Sequence, residues 1–209
     1  MTQGIHPLFS FPVYETDLAI EDCDHKNFLN IIKSLNYYQY FDSDRLKNGE
    51  ISKEQNVLDL KELESLKKNI ETELKIYLYE ILKIKKNSGI KHLCSWSVKH
   101  QFGDKSHEHS HNNSLFSGVY YLKVPKNSGE NIIFHRTDKY SGVKPQFEEY
   151  NIFNSDTWEI NVCEKKLLLF PSNLKHSVPI SKSHEPRYAI SFNYFLSGKF
   201  GFDTSHAKF

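Results

Sequence analysis

The sequence has few cysteines, no long apolar run and almost no net charge, and each of these deficits excludes a class of protein. Its 209 residues include only three cysteines, at a wide spacing that fits neither a disulfide framework nor a paired-cysteine zinc site. No apolar segment approaches the roughly 18 residues that a membrane span needs. With 27 Lys and Arg against 26 Asp and Glu, the chain also lacks the basic surface that nucleic-acid binding requires.

The length suits one domain better than two, so we expect a single domain over residues 1–209. The first residues contain neither a basic segment nor an apolar signal-peptide core, which predicts a cytoplasmic protein. We expect no nucleic-acid partner and no membrane contact.

Residues 1–89 are predicted to be mainly helical. Between residues 24 and 38, with Asp24 available as the N-cap, apolar residues recur at helical spacing: Phe28, Ile31, Ile32 and Leu35. Residues 57–84 predict a long amphipathic helix whose apolar stripe consists of Leu63, Leu66, Ile70, Leu74, Tyr77 and Ile81. That stripe is wide enough to pack against a β-barrel or to support a homodimer.

Residues 90–209 are predicted to be mostly strands, because short aromatic or β-branched segments alternate with Gly, Pro, Asn and Ser. The predicted strands are residues 92–101, 115–124, 131–136, 157–162, 165–170 and 187–196. Helices followed by strands predict an α+β, mainly β fold, in which the helices support a sandwich or barrel of antiparallel strands.

Three histidines alternate in one polar segment, at positions 107, 109 and 111. Residues two apart on a strand point to the same face, so a His-x-His pair presents two imidazoles side by side. Imidazole is a common ligand of zinc, copper, iron and nickel, and such a pair needs only one or two further groups to complete a metal site. A solvent-exposed polar loop is the alternative.

A second polar pattern occurs near the C-terminus. His176 follows a buried strand and a Pro-Ser-Asn turn, and Arg187 comes eleven residues later. On the strand that begins at Arg187, one face consists of Arg187, Ala189, Ser191 and Asn193. A core strand with such a face lines a polar space, such as the inside of a barrel that holds a ligand, unless the face is exposed.

This order of residues, from about Ser95 to Tyr194, resembles that of the 2-oxoglutarate- and iron(II)-dependent oxygenases, and most closely their subgroup of small prolyl-hydroxylase-like oxygenases from bacteria and cyanophages. The resemblance implies a double-stranded β-helix, or jelly roll, that is cupin-like. It also implies a dioxygenase that uses iron(II), 2-oxoglutarate and dioxygen to hydroxylate a small-molecule or peptide substrate.

The resemblance also assigns residues. Gly103 and His109 have the family's spacing for the first metal histidine, which favours His109 over His107, and His176 matches the second. Arg187 matches the residue that pairs with the distal carboxylate of 2-oxoglutarate, and Tyr121 matches its hydrogen-bond partner. Ser191, Asn193 and Gln101 are further candidates for the cosubstrate, whereas Trp96 is expected in the core.

One position departs from the family pattern. The third ligand is normally Asp or Glu, but His111 occupies that position here. Glu108 is an awkward substitute because it would point to the opposite strand face, so the predicted ligands are His109, His111 and His176. Losing the carboxylate removes one negative charge, which should weaken iron(II) binding.

Two alternatives remain. Three histidines also resemble a cupin-type metal dioxygenase that does not use 2-oxoglutarate. The missing carboxylate is equally compatible with a non-catalytic β-barrel that serves as an interaction protein. Residues 137–154 lie between predicted strands and are expected to form either a lid or an inert insertion.

Overall fold

Most helical residues precede residue 90 and most strands follow it. The computed structural model describes residues 4–5, 7–41, 45–126, 128–129, 131–137, 145–202 and 205–208. The α-helices are α1 (Asp22–Ser34) and α2 (Glu64–Lys75). The strands are β1 (Tyr14–Asp17), β2 (Tyr37–Phe41), β3 (Lys47–Ser52), β4 (Gly89–His100), β5 (Ser106–His109), β6 (Phe116–Lys123), β7 (Ile132–His135), β8 (Thr157–Ile160), β9 (Lys166–Pro171), β10 (His176–Val178), β11 (Arg187–Ser197), β12 (Lys199–Phe202) and β13 (Ser205–Lys208).

Two antiparallel sheets carry the fold. The larger sheet has the order β1-β9-β6-β11-β4-β3-β2, and the smaller has the order β5-β10-β7-β8. Strands β12 and β13 pair separately as a two-stranded ribbon. Neighbouring strands are mostly distant in sequence, so the sheets are built by crossovers rather than by simple hairpins. This architecture matches the mainly β, jelly-roll fold that the sequence predicts, and the six predicted strands are all present.

The larger sheet has apolar side chains on both faces. On its outer face, Ile32 of α1 and Ile70 of α2 pack in one core with Tyr120 and Ile190 of the sheet. On its inner face, a second core joins the sheets, with members Val119, Tyr121, Ile132, Phe134, Leu168, Phe170, Leu174 and Ala189. Burial of each large apolar side chain contributes about 1.5–3 kcal/mol. The two cores therefore hold the helices outside and leave the space between the sheets for a site.

A buried histidine fixes α1 to the sheet. His25 Nε2 lies 2.9 Å from the carbonyl oxygen of Leu122, and its Nδ1 lies 2.9 Å from the hydroxyl of Tyr120. Because a carbonyl only accepts, Nε2 donates to it and Nδ1 accepts the hydroxyl proton. Burial lowers the pKa of His25, which keeps the imidazole neutral.

Helix α1 differs from the sequence prediction at both ends. It begins at Asp22, so the N-cap is Glu21 and not Asp24, and Glu21 makes no capping hydrogen bond through its side chain. It ends at Ser34 because Leu35 takes an extended conformation (φ −69°, ψ 159°). The chain then enters β2 at Tyr37, a residue that the prediction placed inside the helix.

The predicted long helix is also shorter than expected. Residues 57–63 form two 3₁₀ turns, interrupted by the extended Leu60, before α2 begins at Glu64. After Lys75 the helix widens into a π-helical segment, Ile76–Ile81. Because a π-helix has more residues per turn, the apolar stripe rotates out of register. Five predicted stripe residues are fully buried, but Ile81 is 46% exposed.

The first 89 residues contain three strands besides these helices. Strands β2 and β3 extend the larger sheet beyond β4, and β1 pairs with β9 at the opposite edge. The sequence prediction of mainly helical support omits these strands. Within the described ranges, none of the helices combines the length and apolar character of a membrane span.

Candidate metal centre and adjoining cavity

Three histidine side chains converge at one end of the smaller sheet. His109 ends β5, His176 begins β10, and the two are cross-strand partners. The ring centres lie 4.4 Å apart for His109 and His176, and 5.2 Å from His111 to each of them. One nitrogen from each ring lies within 4.8 Å of the others, which is close enough for one metal ion to bind all three. The sequence-predicted ligands are therefore brought together.

Backbone hydrogen bonds orient two of the rings. His109 Nδ1 lies 2.7 Å from the carbonyl oxygen of His107, and His176 Nδ1 lies 3.0 Å from that of Leu174. Because a carbonyl only accepts, each Nδ1 carries the proton and each Nε2 keeps its lone pair for a metal. This support of a ligand by a second hydrogen bond is typical of metal-binding histidines.

The environment also favours the neutral form of two of the histidines, His111 and His176. Burial, with the nearby His109 as a smaller cause, lowers the pKa of His111 to about 4. Burial, followed by the neighbouring His109 and His111, holds the pKa of His176 well below its usual value. Neutral imidazole is the form that ligates metals, so the electrostatics favour coordination over protonation.

Glu108 is not a member of the cluster. Its carboxylate contacts Lys175 Nζ at 3.0 Å and His135 Nδ1 at 3.3 Å. The hydrogen bond from Lys175 is the main cause that lowers the pKa of Glu108. Among the residues whose positions are described, no Asp or Glu joins the three histidines. The third position of the trio is His111, as the sequence suggests.

A cavity of about 520 Å³ adjoins the histidines between the two sheets. Strand β11 contributes Arg187, Ala189 and Ser191 to its wall, which is the face predicted from alternation along that strand. Tyr121 of β6 also lines the cavity, and the guanidinium carbon of Arg187 lies 4.9 Å from the centre of its ring. Arg187 is only 3% exposed, so its charge is held inside the fold.

Two buried polar atoms of Arg187 and Tyr121 have no hydrogen-bond partner among the described residues. They are Nε of Arg187 and the hydroxyl of Tyr121. Buried donors are nearly always paired, so two orphans that line one cavity indicate a place for a ligand with oxygen acceptors. Burial raises the pKa of Tyr121 to about 12, against the smaller opposing effects of the positive charge of Arg187 and of its close approach to the hydroxyl, which falls short of hydrogen-bond geometry. The hydroxyl therefore stays protonated and able to donate.

Two predicted cosubstrate residues lie outside the cavity. Gln101 follows the end of β4 in a turn that Asp104 closes by accepting the Gln101 backbone N–H, and its side-chain amide donates to Glu50 at 3.2 Å. Asn193 is buried but accepts a hydrogen bond from Ser117 Oγ at 2.7 Å. Asn193 shares the face of Ser191 but lies further along β11, beyond the cavity lining, where it pairs with Ser117 of β6.

One wall of the cavity is formed by residues that the sequence did not predict as part of a site. Tyr38 and Tyr40 of β2, together with Ile51 of β3, line its outer part. Trp96, expected in the core, also lines the cavity, and its ring centre lies 5.7 Å from that of His111. The run Tyr37 to Phe41 is almost entirely aromatic, and that composition is the signal that could have predicted a strand.

Sequence comparison matches the part of the chain that contains the cavity and the histidines. A protein-family model described as "Putative 2OG-Fe(II) oxygenase" matches residues 94–193. The matched span contains the three clustered histidines, Tyr121 and Arg187. No curated protein matches the chain.

Solved structures share the fold at low identity. They include the epimerase SnoN from nogalamycin biosynthesis, described as non-heme and alpha-ketoglutarate-dependent (TM-score 0.64, 10% identity, 88% of this chain and 78% of that chain). A Trichoplax adhaerens prolyl hydroxylase, in complex with a hypoxia inducible factor peptide fragment, matches with TM-score 0.59 and 16% identity (88% and 83% covered). HygX from Streptomyces hygroscopicus, with nickel, 2-oxoglutarate and hygromycin B bound, matches with TM-score 0.59 and 10% identity (88% and 82% covered).

Proposed function

Since the chain belongs to the 2-oxoglutarate- and iron(II)-dependent oxygenase superfamily, we propose that it is a dioxygenase that hydroxylates a substrate bound in the cavity between its two sheets. The observation that carries the proposal is the pair of orphaned donors, Arg187 Nε and the Tyr121 hydroxyl, in the same cavity as three clustered histidines. A metal site alone would need no such pair.

In this proposal His109, His111 and His176 hold the iron. Three imidazole nitrogens that lie within 4.8 Å of one another suit iron(II), and three protein ligands leave other coordination positions open. With iron(II) bound, the chemistry supplied is an oxidation: 2-oxoglutarate and dioxygen become succinate and carbon dioxide, and one oxygen atom enters a C–H bond of the substrate.

Arg187 and Tyr121 bind the distal carboxylate of 2-oxoglutarate. Arginine suits this task because its planar group is always charged and can donate two parallel hydrogen bonds to one carboxylate. Tyr121 adds a neutral donor, since its hydroxyl stays protonated. Ser191 shares the face of Arg187 and is a further contact. Gln101 and Asn193 are left out of this set because their side chains bond elsewhere.

The remaining walls keep water from the reaction. Apolar side chains from both sheets surround the cosubstrate end of the cavity, and they are Val119, Ile132, Phe170, Val178 and Ala189. A site with few polar groups strengthens the charge pairing of Arg187 and protects reactive species from side reactions. The protein thus orients and shields the reactants.

A second candidate is a three-histidine metal dioxygenase that does not use 2-oxoglutarate. The absence of a carboxylate from the described histidine cluster favours it. It gives Arg187 no cosubstrate to bind, so the two candidates differ in whether that arginine matters for binding 2-oxoglutarate. The cytoplasmic location and the homodimer stay predictions.

Anaerobic titration tests the proposal. We expect iron(II) followed by 2-oxoglutarate to give the weak visible charge-transfer band of such ternary complexes, and Arg187→Ala to abolish it. Arg136→Ala is the control, because Arg136 binds the backbone oxygens of Ser155 and Phe153 outside the cavity. Metal binding with no response to 2-oxoglutarate would contradict the proposal and favour the second candidate.

A further inference from the structure

One row of side chains crosses the larger sheet from the cosubstrate end of the cavity to its mouth. The strand register pairs Tyr121 with Ala189, Ala189 with Val98, Val98 with Ile51, and Ile51 with Tyr38. All five side chains line the cavity. Four strand spacings of about 4.8 Å separate the ends of this row by roughly 19 Å. The cavity therefore has an inner end at Tyr121 and an outer end at Tyr38.

The outer end is aromatic and open. Tyr38 and Tyr40 are 42% and 39% exposed, although both line the cavity. Trp96 lines the same cavity, with its ring centre 5.7 Å from that of His111. Ile51 and Val98 form the floor between the tyrosines and the inner end. Aromatic rings with this much free surface gain from stacking against another ring.

The outer end also lacks permanent charge. The described residues that line the cavity include no Lys, Asp or Glu and a single arginine, Arg187, which lies at the inner end. The charged neighbours on β3 and β4, Glu50 and Lys99, do not line the cavity and pair with each other at 2.6 Å. A charged group placed against Tyr38, Ile51 and Val98 would lose hydration without a partner, which is costly.

On the function proposed above, we infer that the substrate presents an uncharged ring to this outer wall, stacked against Tyr38 and Trp96. The ring lies on the aliphatic floor of Ile51 and Val98, and its C–H bonds point toward the histidine trio. Arg187 is occupied by the cosubstrate, so a carboxylate on the substrate has no arginine or lysine to bind among the described lining residues. A cation would find aromatic faces but no Asp or Glu among the lining residues that the structure describes.

Binding of small probes tests this inference without requiring turnover. The chain has two tryptophans, and Trp158 lies on β8, away from the cavity lining. In a Trp158→Phe background, the fluorescence of Trp96 alone reports occupancy of the outer wall. Phenylacetamide, phenylacetate and 2-phenylethylamine carry the same ring with zero, negative and positive charge, and hexanamide is neutral without a ring. Each is titrated under argon with iron(II) and saturating 2-oxoglutarate present.

We expect phenylacetamide to bind most tightly, and Tyr38→Ala to weaken it about 3- to 10-fold, as loss of one aromatic contact does. Tyr38→Phe should restore binding because it keeps the ring. Tyr150→Ala is the matched control, since Tyr150 is an exposed tyrosine that does not line the cavity. No quenching by phenylacetamide up to its solubility limit, or equal binding of hexanamide or a charged probe, would overturn the inference.

The two proposals fail in different ways. If the charge-transfer band forms but Tyr38→Ala leaves all four probes unchanged, the substrate inference is wrong and the oxygenase proposal stands. If phenylacetamide binding depends on Tyr38 but 2-oxoglutarate does not bind, the inference about the outer wall stands. The proposal that the protein uses 2-oxoglutarate is then wrong. Phenylacetate that binds only when 2-oxoglutarate is omitted would identify Arg187 as its partner.

Discussion

The guanidinium of Arg187 covers the face of the Tyr121 ring, with 4.9 Å between the guanidinium carbon and the ring centre. Neither Arg187 Nε nor the Tyr121 hydroxyl has a partner of normal hydrogen-bond geometry among the described residues. In the proposed function the two residues bind the distal carboxylate of 2-oxoglutarate together. Substituting Arg187 and Tyr121 one at a time should have different effects.

Arg187→Lys should weaken 2-oxoglutarate binding about 10- to 100-fold. Lysine keeps the positive charge but loses the planar pair of donors and the stacking on Tyr121. Isothermal titration of the iron-loaded protein under argon measures the change. Arg136→Lys makes the same substitution outside the cavity and should bind 2-oxoglutarate as the wild type does. Equal weakening in both variants would show that the effect is not specific to the cavity.

Tyr121→Phe should weaken the binding of 2-oxoglutarate without lowering the stability of the protein. Removing an unpaired buried hydroxyl relieves a cost of about 1–3 kcal/mol, so the free energy of unfolding should stay equal or rise. The affinity for 2-oxoglutarate should fall about 3- to 10-fold because one hydrogen bond is lost.

Tyr120→Phe provides the matched control for that variant. The hydroxyl of the neighbouring Tyr120 bonds His25 on the opposite face of β6. Its removal should lower the free energy of unfolding by about 1 kcal/mol and leave 2-oxoglutarate binding unchanged. Urea unfolding and titration on both variants complete the test, and a stability loss in Tyr121→Phe would contradict the picture of an orphaned hydroxyl.

His111→Asp should tighten iron(II) binding by about tenfold. The substitution places a negative charge beside a divalent cation in a cluster that has no carboxylate among its described members. His107→Asp is the control, because His107 lines the cavity but is not one of the three clustered rings. An equal gain in both variants would show a general effect of charge and would argue against His111 as a ligand.

The stability of the protein should fall as the pH drops below about 6.5, in part through His25. Burial lowers the pKa of His25 below its ordinary value of 6.5, so the unfolded chain binds the proton more tightly than the folded one does. The stabilisation is therefore complete above pH 6.5 and is lost as the pH falls toward the folded pKa. At pH 8, His25→Gln should be about 1 kcal/mol less stable than wild type.

The difference in the free energy of unfolding should narrow as the pH falls. Unfolding exposes the imidazole of His25 in the wild type, which then takes up a proton, whereas the glutamine variant has no such group. Urea unfolding of both proteins between pH 8 and pH 5 measures the gap. A gap that stays constant with pH would show that His25 does not titrate on unfolding.

The sequence predicts the centre of the site better than its border. The place of Ala189 follows from strand alternation, which is a local property that tertiary contacts preserve. His109 ends β5 and His111 lies beyond that strand, so alternation alone does not account for the place of His111. Asn193 also lies on the predicted face, but it pairs with Ser117 beyond the cavity lining, and no residue pattern shows where a cavity ends. Gln101 lies outside the cavity because its turn is closed by Asp104, three residues later.

The outer wall could not be predicted because it depends on pairing between distant segments. Strand β3 contains Asn, Gly and Glu, a poor composition for a strand, and it forms because it pairs with β4. Tyr38 then faces the cavity only because β2 pairs with β3 in one register. Residues 138–144, most of the first half of the expected lid, lie outside the described residues, so the lid stays a prediction.

Tyr37 holds β2 in its register against β3. Its hydroxyl lies 2.9 Å from the carbonyl oxygen of Ile32 and 2.8 Å from Ser97 Oγ, on the face of β2 opposite to Tyr38. A slip of β2 by one residue would break both contacts and exchange the two faces, so that Tyr37, Gln39 and Phe41 would replace Tyr38 and Tyr40 at the cavity. A single deletion between β2 and β3 that caused this slip would change the side chains on the wall proposed to contact the substrate. The three clustered histidines would keep their positions.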